Sequence, residues 1–268
     1  LKDVKEWKEL DLFRRESKIL KQLDHPGIPH FLDEFTSEDG GHLHLVMELV
    51  PGQNLREMMR TNGPLSEAQL WRTLWQMAQV LEFLHGRNPP VVHRDIKPHN
   101  ILMRDDGHVV LVDFGVVQEA RKSDGGTFVG TYGFMAPEQF HGDSSPASDV
   151  YGLGATLIAL GTGVEPEELP HEGLRLKFAD RLQVSPPLLD ILTRMVEPEP
   201  ARRPRNGMEL RALLEAGVER APRPEPDAPF DEGDSTLGPH VPPPVAMVMA
   251  AMLMAVGMLG SVVLTVIG

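Results

Sequence analysis

The chain has 268 residues, 41% of them apolar, enough to build the core of one sizeable domain or two small ones. Its formal net charge of -13 comes without any dense run of Lys or Arg, which argues against DNA or RNA as a ligand, since phosphate backbones demand a concentrated positive field. With no cysteine in the sequence, disulfides, thiolate catalysis and cysteine-based zinc sites are excluded, in keeping with a reducing compartment.

Leu10, Phe13, Leu20 and Leu23 recur at helical spacing in a charged segment and predict an amphipathic helix over 3–23, ended by the breakers of HPGIP. The runs 28–35 and 43–49, separated by SEDGG, predict a β-hairpin. Ser66 with Gln69 three residues on forms a capping-box pattern. Leu70, Leu74, Met77, Leu81 and Leu84 then make an apolar stripe that ends near His85-Gly86. Trp71 and Trp75 sit one position beyond that stripe and read as packing residues. Short apolar runs at 91–93, 100–103 and 108–114 predict strands bracketing a loop, and further helices are predicted at 148–160, 188–196 and 208–214.

The composition then changes. Between Ala221 and Pro244 stand eight prolines and five acidic residues, a stretch too poor in large apolar side chains to fold and therefore predicted to be a linker. Residues 245–267 form an uncharged apolar run that as a helix would extend about 35 Å, against a hydrocarbon core of roughly 30 Å, and predict a single membrane span. Pairs of small residues four apart, such as Ala246/Ala250 and Gly257/Ser261, would let two such helices pack closely as a homodimer. Asp227, Asp231, Glu232 and Asp234 would be repelled by anionic headgroups, so the linker reads as a spacer.

The chemistry is concentrated in HRDIKPHN at 93–100 and DFG at 113–115. Phosphoryl transfer needs a carboxylate to orient or deprotonate the acceptor hydroxyl, a cation to screen developing charge, and oxygen ligands for magnesium. Asp95 is the candidate base, Lys97 the cation, and Asn100 and Asp113 the metal ligands. Each alone has a structural reading as a turn, surface or capping residue. Together with A-P-E at 136–138, in one order and at workable spacing, they do not arise by chance.

On these motifs the chain resembles the eukaryotic-type serine/threonine protein kinases over roughly residues 1–217. The resemblance implies an α+β bilobal kinase-like fold. Residues 1–217 would be the kinase domain, with a small-lobe remnant at 1–50 and a mainly helical large lobe at 51–217. A Pro-rich acidic linker at 218–244 and a transmembrane helix at 245–267 would follow.

It also implies ATP and Mg2+, with Mn2+ as a substitute, and protein substrates. Glu16 would be the small-lobe ion-pair partner. Met47, Glu48 and Val50 would form the adenine hinge, with Leu102 beneath the ring. His93, Phe114, Gly115, Glu138, Asp149 and Arg203 would be structural, Glu138 and Arg203 as an ion pair. Lys97 and Thr131 match the serine/threonine branch. Arg94 before the base marks kinases switched by activation-loop phosphorylation, with Thr127 the matching site and Ser123 a weaker one. His42 and His44, with His30 nearby, have a spacing a metal could use but read as solvated hairpin residues.

A G-x-G-x-x-G loop and an A-x-K strand lysine, which the family carries before the Glu16 helix, are not found in the sequence. The expectation is an N-terminally truncated, membrane-anchored kinase of bacterial type with a cytoplasmic catalytic domain, weakly active as given. A pseudokinase scaffold is the alternative, and a small-molecule phosphotransferase a distant third. Intact HRD, DFG and Asn100 favour the enzyme.

Overall fold

The computed structural model describes residues 17–36, 43–114, 118–119 and 133–218. These fall into two compact units.

The small unit holds residues 17–23, 30–36 and 43–49. Residues 17–20 are helical and give way to a turn at 21–22, slightly earlier than the predicted end at Leu23. Strands β1 (Phe31–Thr36) and β2 (Leu43–Met47) pair antiparallel with an irregularity between Phe31 and Asp33. The predicted hairpin thus forms, but its first strand starts three residues later than expected. The Glu34 carboxylate receives the Ser17 hydroxyl and the Lys21 ammonium, tying the helical turn to β1.

The large unit holds 24–29 together with everything described from Val50 onward. Residues 24–29 belong here because Leu111 N–H donates to Gly27 O at 2.9 Å and the His25 ring lies 5.0 Å from that of Phe83. A side chain at Gly27 would meet Val80 at 2.5 Å, so only glycine permits this approach.

Strand β3 (Gln53–Asn54) leads into helix α1 (Leu55–Asn62), capped by Asn54 Oδ1 accepting from Glu57 N at 2.9 Å. The sequence reading missed α1. Leu55 is its only buried residue, so it carries no apolar stripe to be recognised.

Helix α2 (Glu67–His85) begins at the predicted capping box: Gln69 N donates to Ser66 Oγ and Ser66 N to Gln69 Oε1. Its stripe of Leu70, Leu74, Met77, Leu81 and Leu84 is almost fully buried, each side chain contributing about 1.5–3 kcal/mol relative to exposure. Trp71 packs as expected. Its indole donates to Glu67 Oε1 at 3.2 Å, and the same carboxylate accepts from Ser185 N at 3.0 Å.

Strand β4 (Val91–Val92) pairs with β7 (Gln118–Glu119), while β5 (Ile101–Met103) lies between β3 and β6 (Val109–Leu111). The predicted strands thus bracket the loop at 93–100, although β4 and β5 do not pair with each other. The backbone of 93–100 is engaged elsewhere, in side-chain bonds and a 3-10 turn at Pro98–Asn100, and cannot form a ladder.

Helix α3 (Pro146–Thr162) is buried on nearly every side from Ala147 to Leu160. A small hairpin, β8 (His171–Glu172) with β9 (Arg175–Leu176), exposed except at Leu176, was not predicted, since its two-residue strands are too short to show alternation. Helices α4 (Pro186–Met195) and α5 (Gly207–Val218) complete the unit. Gly207 lets α5 sit directly on α2: a Cβ there would lie 2.1 Å from Glu82 N.

Among the described residues no helix is long and apolar enough to cross a membrane. The predicted linker and span, apart from Val218 at the end of α5, lie outside the described residues.

Candidate active site

The loop after β4 is held by one carboxylate. Asp149, in the first turn of α3 and fully buried, accepts from His93 N through Oδ2 and from Arg94 N through Oδ1, each at 2.8 Å. Those two bonds help hold Arg94 at φ 73°, a left-handed conformation that costs a non-glycine residue roughly 1–2 kcal/mol. Asp95 N then donates to His93 Nδ1 at 3.4 Å, and the His93 ring meets Phe114 edge-on, centroids 5.0 Å apart. Below the loop, Thr156 Oγ1 donates to Ile96 O at 3.4 Å, and Gly152 leaves room for that carbonyl.

With the backbone so fixed, Asp95, Lys97 and Asn100 converge. Lys97 Nζ donates to Asp95 Oδ2 at 2.7 Å, and Asn100 Nδ2 donates to Asp95 O at 2.8 Å and to Oδ2 at 3.0 Å. Both of those acceptors require the NH2 end of Asn100, so its carbonyl oxygen is turned away from Asp95 and remains a neutral oxygen donor. Val112 N donates to Asn100 O at 2.9 Å, which brings the end of β6, and with it Asp113, alongside Asn100. Asp113 has φ 65°, a conformation that Asp and Asn tolerate better than most residues.

This donor set fits magnesium. The ion takes hard oxygen ligands, typically one or two carboxylates, with waters and substrate phosphates completing the shell. Asn100 and Asp113 are the residues that would hold it. Among the described residues no cluster of three or more His, Asp or Glu resembles a self-contained metal site, including around His30 and His44. His44 instead stacks on Phe35 at 4.7 Å, which corrects its reading as a solvated residue.

Beside Asp95 lies a crevice lined by Arg94, Asp95, Ile96, Phe134, Met135 and Gln139. Gln139 connects its two walls, donating to Arg94 O at 3.1 Å and accepting from Ala136 N at 3.0 Å. Sequence reasoning passed over Gln139, whose signal was a polar side chain three residues beyond Ala136, placed to cap a short turn.

Arg94 has its guanidinium pulled below the usual range by burial, partly offset by Asp149, and its Nε has no acceptor among the described residues. Farther out, Arg203 and Glu138 form a two-pronged pair at 2.7 and 2.8 Å. Ser148 donates to the same carboxylate, and Arg203 also reaches Pro198 O and Ala147 O.

The remaining predicted residues divide between the two units or lie outside the described residues. Met47 ends β2 and Glu48 follows it in the small unit, where Glu48 N donates to His30 O at 2.8 Å. Val50 and Leu102 belong to the large unit, Val50 buried and Leu102 half-buried opposite Val110 in β5. Glu16, Gly115, Ser123, Thr127, Thr131 and His42 lie outside the described residues.

Comparison with known proteins follows the same residues. The family described as protein kinase domain matches residues 1–211. Serine/threonine-protein kinase F of Synechocystis is 34% identical over 227 residues, covering 78% of this chain and 45% of that protein. Serine/threonine-protein kinase PknA of Nostoc is 35% identical over 238 residues, with 84% and 41% covered. PknA of Mycobacterium tuberculosis is 38% identical over 164 residues, with 59% and 38% covered. The chain thus spans less than half the length of these relatives.

Proposed function

This chain belongs to the protein kinase family, and from that premise we propose that it is the catalytic part of a serine/threonine kinase acting on protein substrates with ATP. The observation that carries the reading is the convergence of Lys97 and Asn100 on Asp95, with the Asn100 carbonyl left as a metal ligand next to Asp113. Relatives named as serine/threonine kinases support the substrate class, as do Lys97 and Thr131.

In this mechanism Asp95 orients a substrate Ser or Thr hydroxyl and takes its proton as the oxygen attacks the γ-phosphorus. The bond from that phosphorus to the bridging oxygen of ADP breaks in line. Lys97 screens the charge on the transferring group and holds Asp95 in position. A magnesium ion at Asn100 and Asp113 would neutralise the phosphates. Met47, Glu48, Val50 and Leu102 are the proposed adenine contacts, and Glu16 the proposed partner of a strand lysine. Arg94 is the proposed receiver of a phosphate on Thr127.

We propose further that residues 1–217 form the kinase domain, 218–244 a spacer and 245–267 a single span anchoring a cytoplasmic kinase to the cell membrane, where paired spans would favour trans-autophosphorylation. Membrane extraction at alkaline pH tests this: the protein should stay with the lipid fraction, and release would remove the anchor. By themselves these 268 residues carry no glycine-rich loop, and we expect them to phosphorylate slowly or not at all.

The decisive experiment is Asp95→Asn in the full-length protein. It should abolish transfer of labelled γ-phosphate to a protein substrate, and undiminished labelling would sink the assignment.

A further inference from the structure

The peptide unit that joins Arg94 to Asp95 is held at both ends. Its N–H, on Asp95, donates to His93 Nδ1 at a long 3.4 Å. Its carbonyl, on Arg94, accepts from Gln139 Nε2 at 3.1 Å. Asp149 cannot supply that second hold, because an ionised carboxylate only accepts. Its oxygens already face the amides of His93 and Arg94 and the Nε2 of His85, the last at 3.0 Å.

Gln139 lies in the 3-10 turn Pro137–His141 and is almost wholly buried. Its side-chain oxygen accepts from Ala136 N at 3.0 Å, while its own main-chain N–H donates to Ala136 O at 3.0 Å. A main-chain N–H only donates and a main-chain carbonyl only accepts, so the two partners fix which way the amide group points. The residue thus grips Ala136, whose neighbours Phe134 and Met135 wall the crevice, and reaches across to the residue before the candidate base.

From this geometry we infer that Gln139 is a positioning residue for phosphoryl transfer: its amide locks the Arg94–Asp95 peptide plane to the 134–136 wall, so that Asp95 keeps one orientation toward the acceptor hydroxyl. Arg94 stands at φ 73°, and strain of that kind persists only while its surroundings over-determine it. Without the Gln139 donor the Arg94 carbonyl loses this partner, and the peptide is left with the 3.4 Å bond on its other side. Rotation of the plane then carries the Asp95 side chain with it, and a misplacement of about 1 Å at a reacting group is enough to cost about 100-fold in rate.

This inference rests on Asp95 as the reacting base, and its test has an arm that does not. Gln139→Glu keeps an acceptor for Ala136 N. Ionised, it has no donor for Arg94 O, and protonated it regains one. Burial and the Asp95 and Asp149 carboxylates of the same crevice raise the pKa of the new carboxyl, against the opposing pull of Arg94, while the adjacent Glu138 is already paired with Arg203. Gln139→Met keeps the length and makes neither bond. Hydrogen exchange at the Asp95 amide should accelerate in both variants at pH 8, whereas the Ala136 amide should stay protected in Glu and open in Met. In the full-length kinase, kcat should fall by about 10- to 100-fold in both at pH 8, with the KM for ATP little moved. Relative to wild type at each pH, Glu should recover to within about threefold at pH 6 while Met stays low. Assays run below the melting transition of each variant, and should Met fail to fold, the pH dependence of Glu decides the matter. An unchanged Asp95 amide, a Glu variant whose relative activity is flat between the two pH values, or a recovery that merely follows the folded fraction would overturn the proposal. A failure of the Asp95 assignment would show instead as kinase activity indifferent to Asp95→Asn.

Discussion

The side-chain amide of Asn100 donates to both the main-chain and the carboxylate oxygen of Asp95, at 2.8 and 3.0 Å. One residue thereby shapes the candidate base and presents a candidate metal ligand. Replacing it with Asp keeps the size but sets an anion against two acceptors. Asn100→Asp should lower kcat by about 100-fold or more, and Asn100→Ala by a similar amount, with thermal melting the companion measurement. An Asp variant retaining near wild-type turnover would show that the NH2 group is not needed there.

Asp113 separates charge from backbone strain. Its φ of 65° suits Asn as well as Asp, so Asp113→Asn removes the charge and keeps the conformation. The melting temperature should stay close to wild type while turnover drops by about 10- to 100-fold and the magnesium concentration needed for half-maximal rate rises. An unaltered magnesium titration would exclude Asp113 as a ligand.

The buried Arg203 side chain and Glu138 meet through two parallel bonds, and Arg203 also lies over the Tyr151 ring at 4.8 Å. Lysine cannot reproduce the fork, and removing either partner strands a charge that is largely shielded from water. Arg203→Met should cost about 3–5 kcal/mol by denaturant unfolding, and the double change with Glu138→Gln less than the sum of the two singles. Additive losses would mean the pair is not coupled.

Tyr151 has its phenol pushed up to about 12, mainly by burial, with Arg203 pulling it down and Glu138 pushing it further up. An unfolded chain loses this proton near pH 10, before the folded one does, so the folded state binds more protons between pH 10 and 12. The contribution is whole below pH 10 and is lost as pH rises through that window, on the order of 1 kcal/mol by pH 11. Tyr151→Phe should therefore close on, or pass, the wild type in urea midpoint between pH 8 and pH 11. Parallel curves across that range would refute the prediction.

Local order was readable where a single element carried its own signal. The α2 stripe and its Ser66–Gln69 cap are patterns a helix must show to bury one face and satisfy its first amides, and both stand in the structure. The buried helix α3 was legible from its unbroken apolar run, though two residues short at each end. What escaped notice had no such pattern: α1 buries only Leu55, and β4 pairs with a two-residue strand 26 positions on. His85 and Gln139 looked like the end of a helix and an ordinary polar residue, because their partners are 64 and 45 residues away.

By itself the sequence determined the family and the candidate chemistry, since Asp95, Lys97, Asn100 and Asp113 are the residue types phosphoryl transfer requires and their motifs name the family. Only the tertiary structure decided how they are held. Asp149 lies 55 residues from Arg94, and a carboxylate can accept from two loop amides and an imidazole only when α2, α3 and the loop meet around it. Residue identity is local and can be read along the chain, whereas the direction of a hydrogen bond depends on what packing places at its other end.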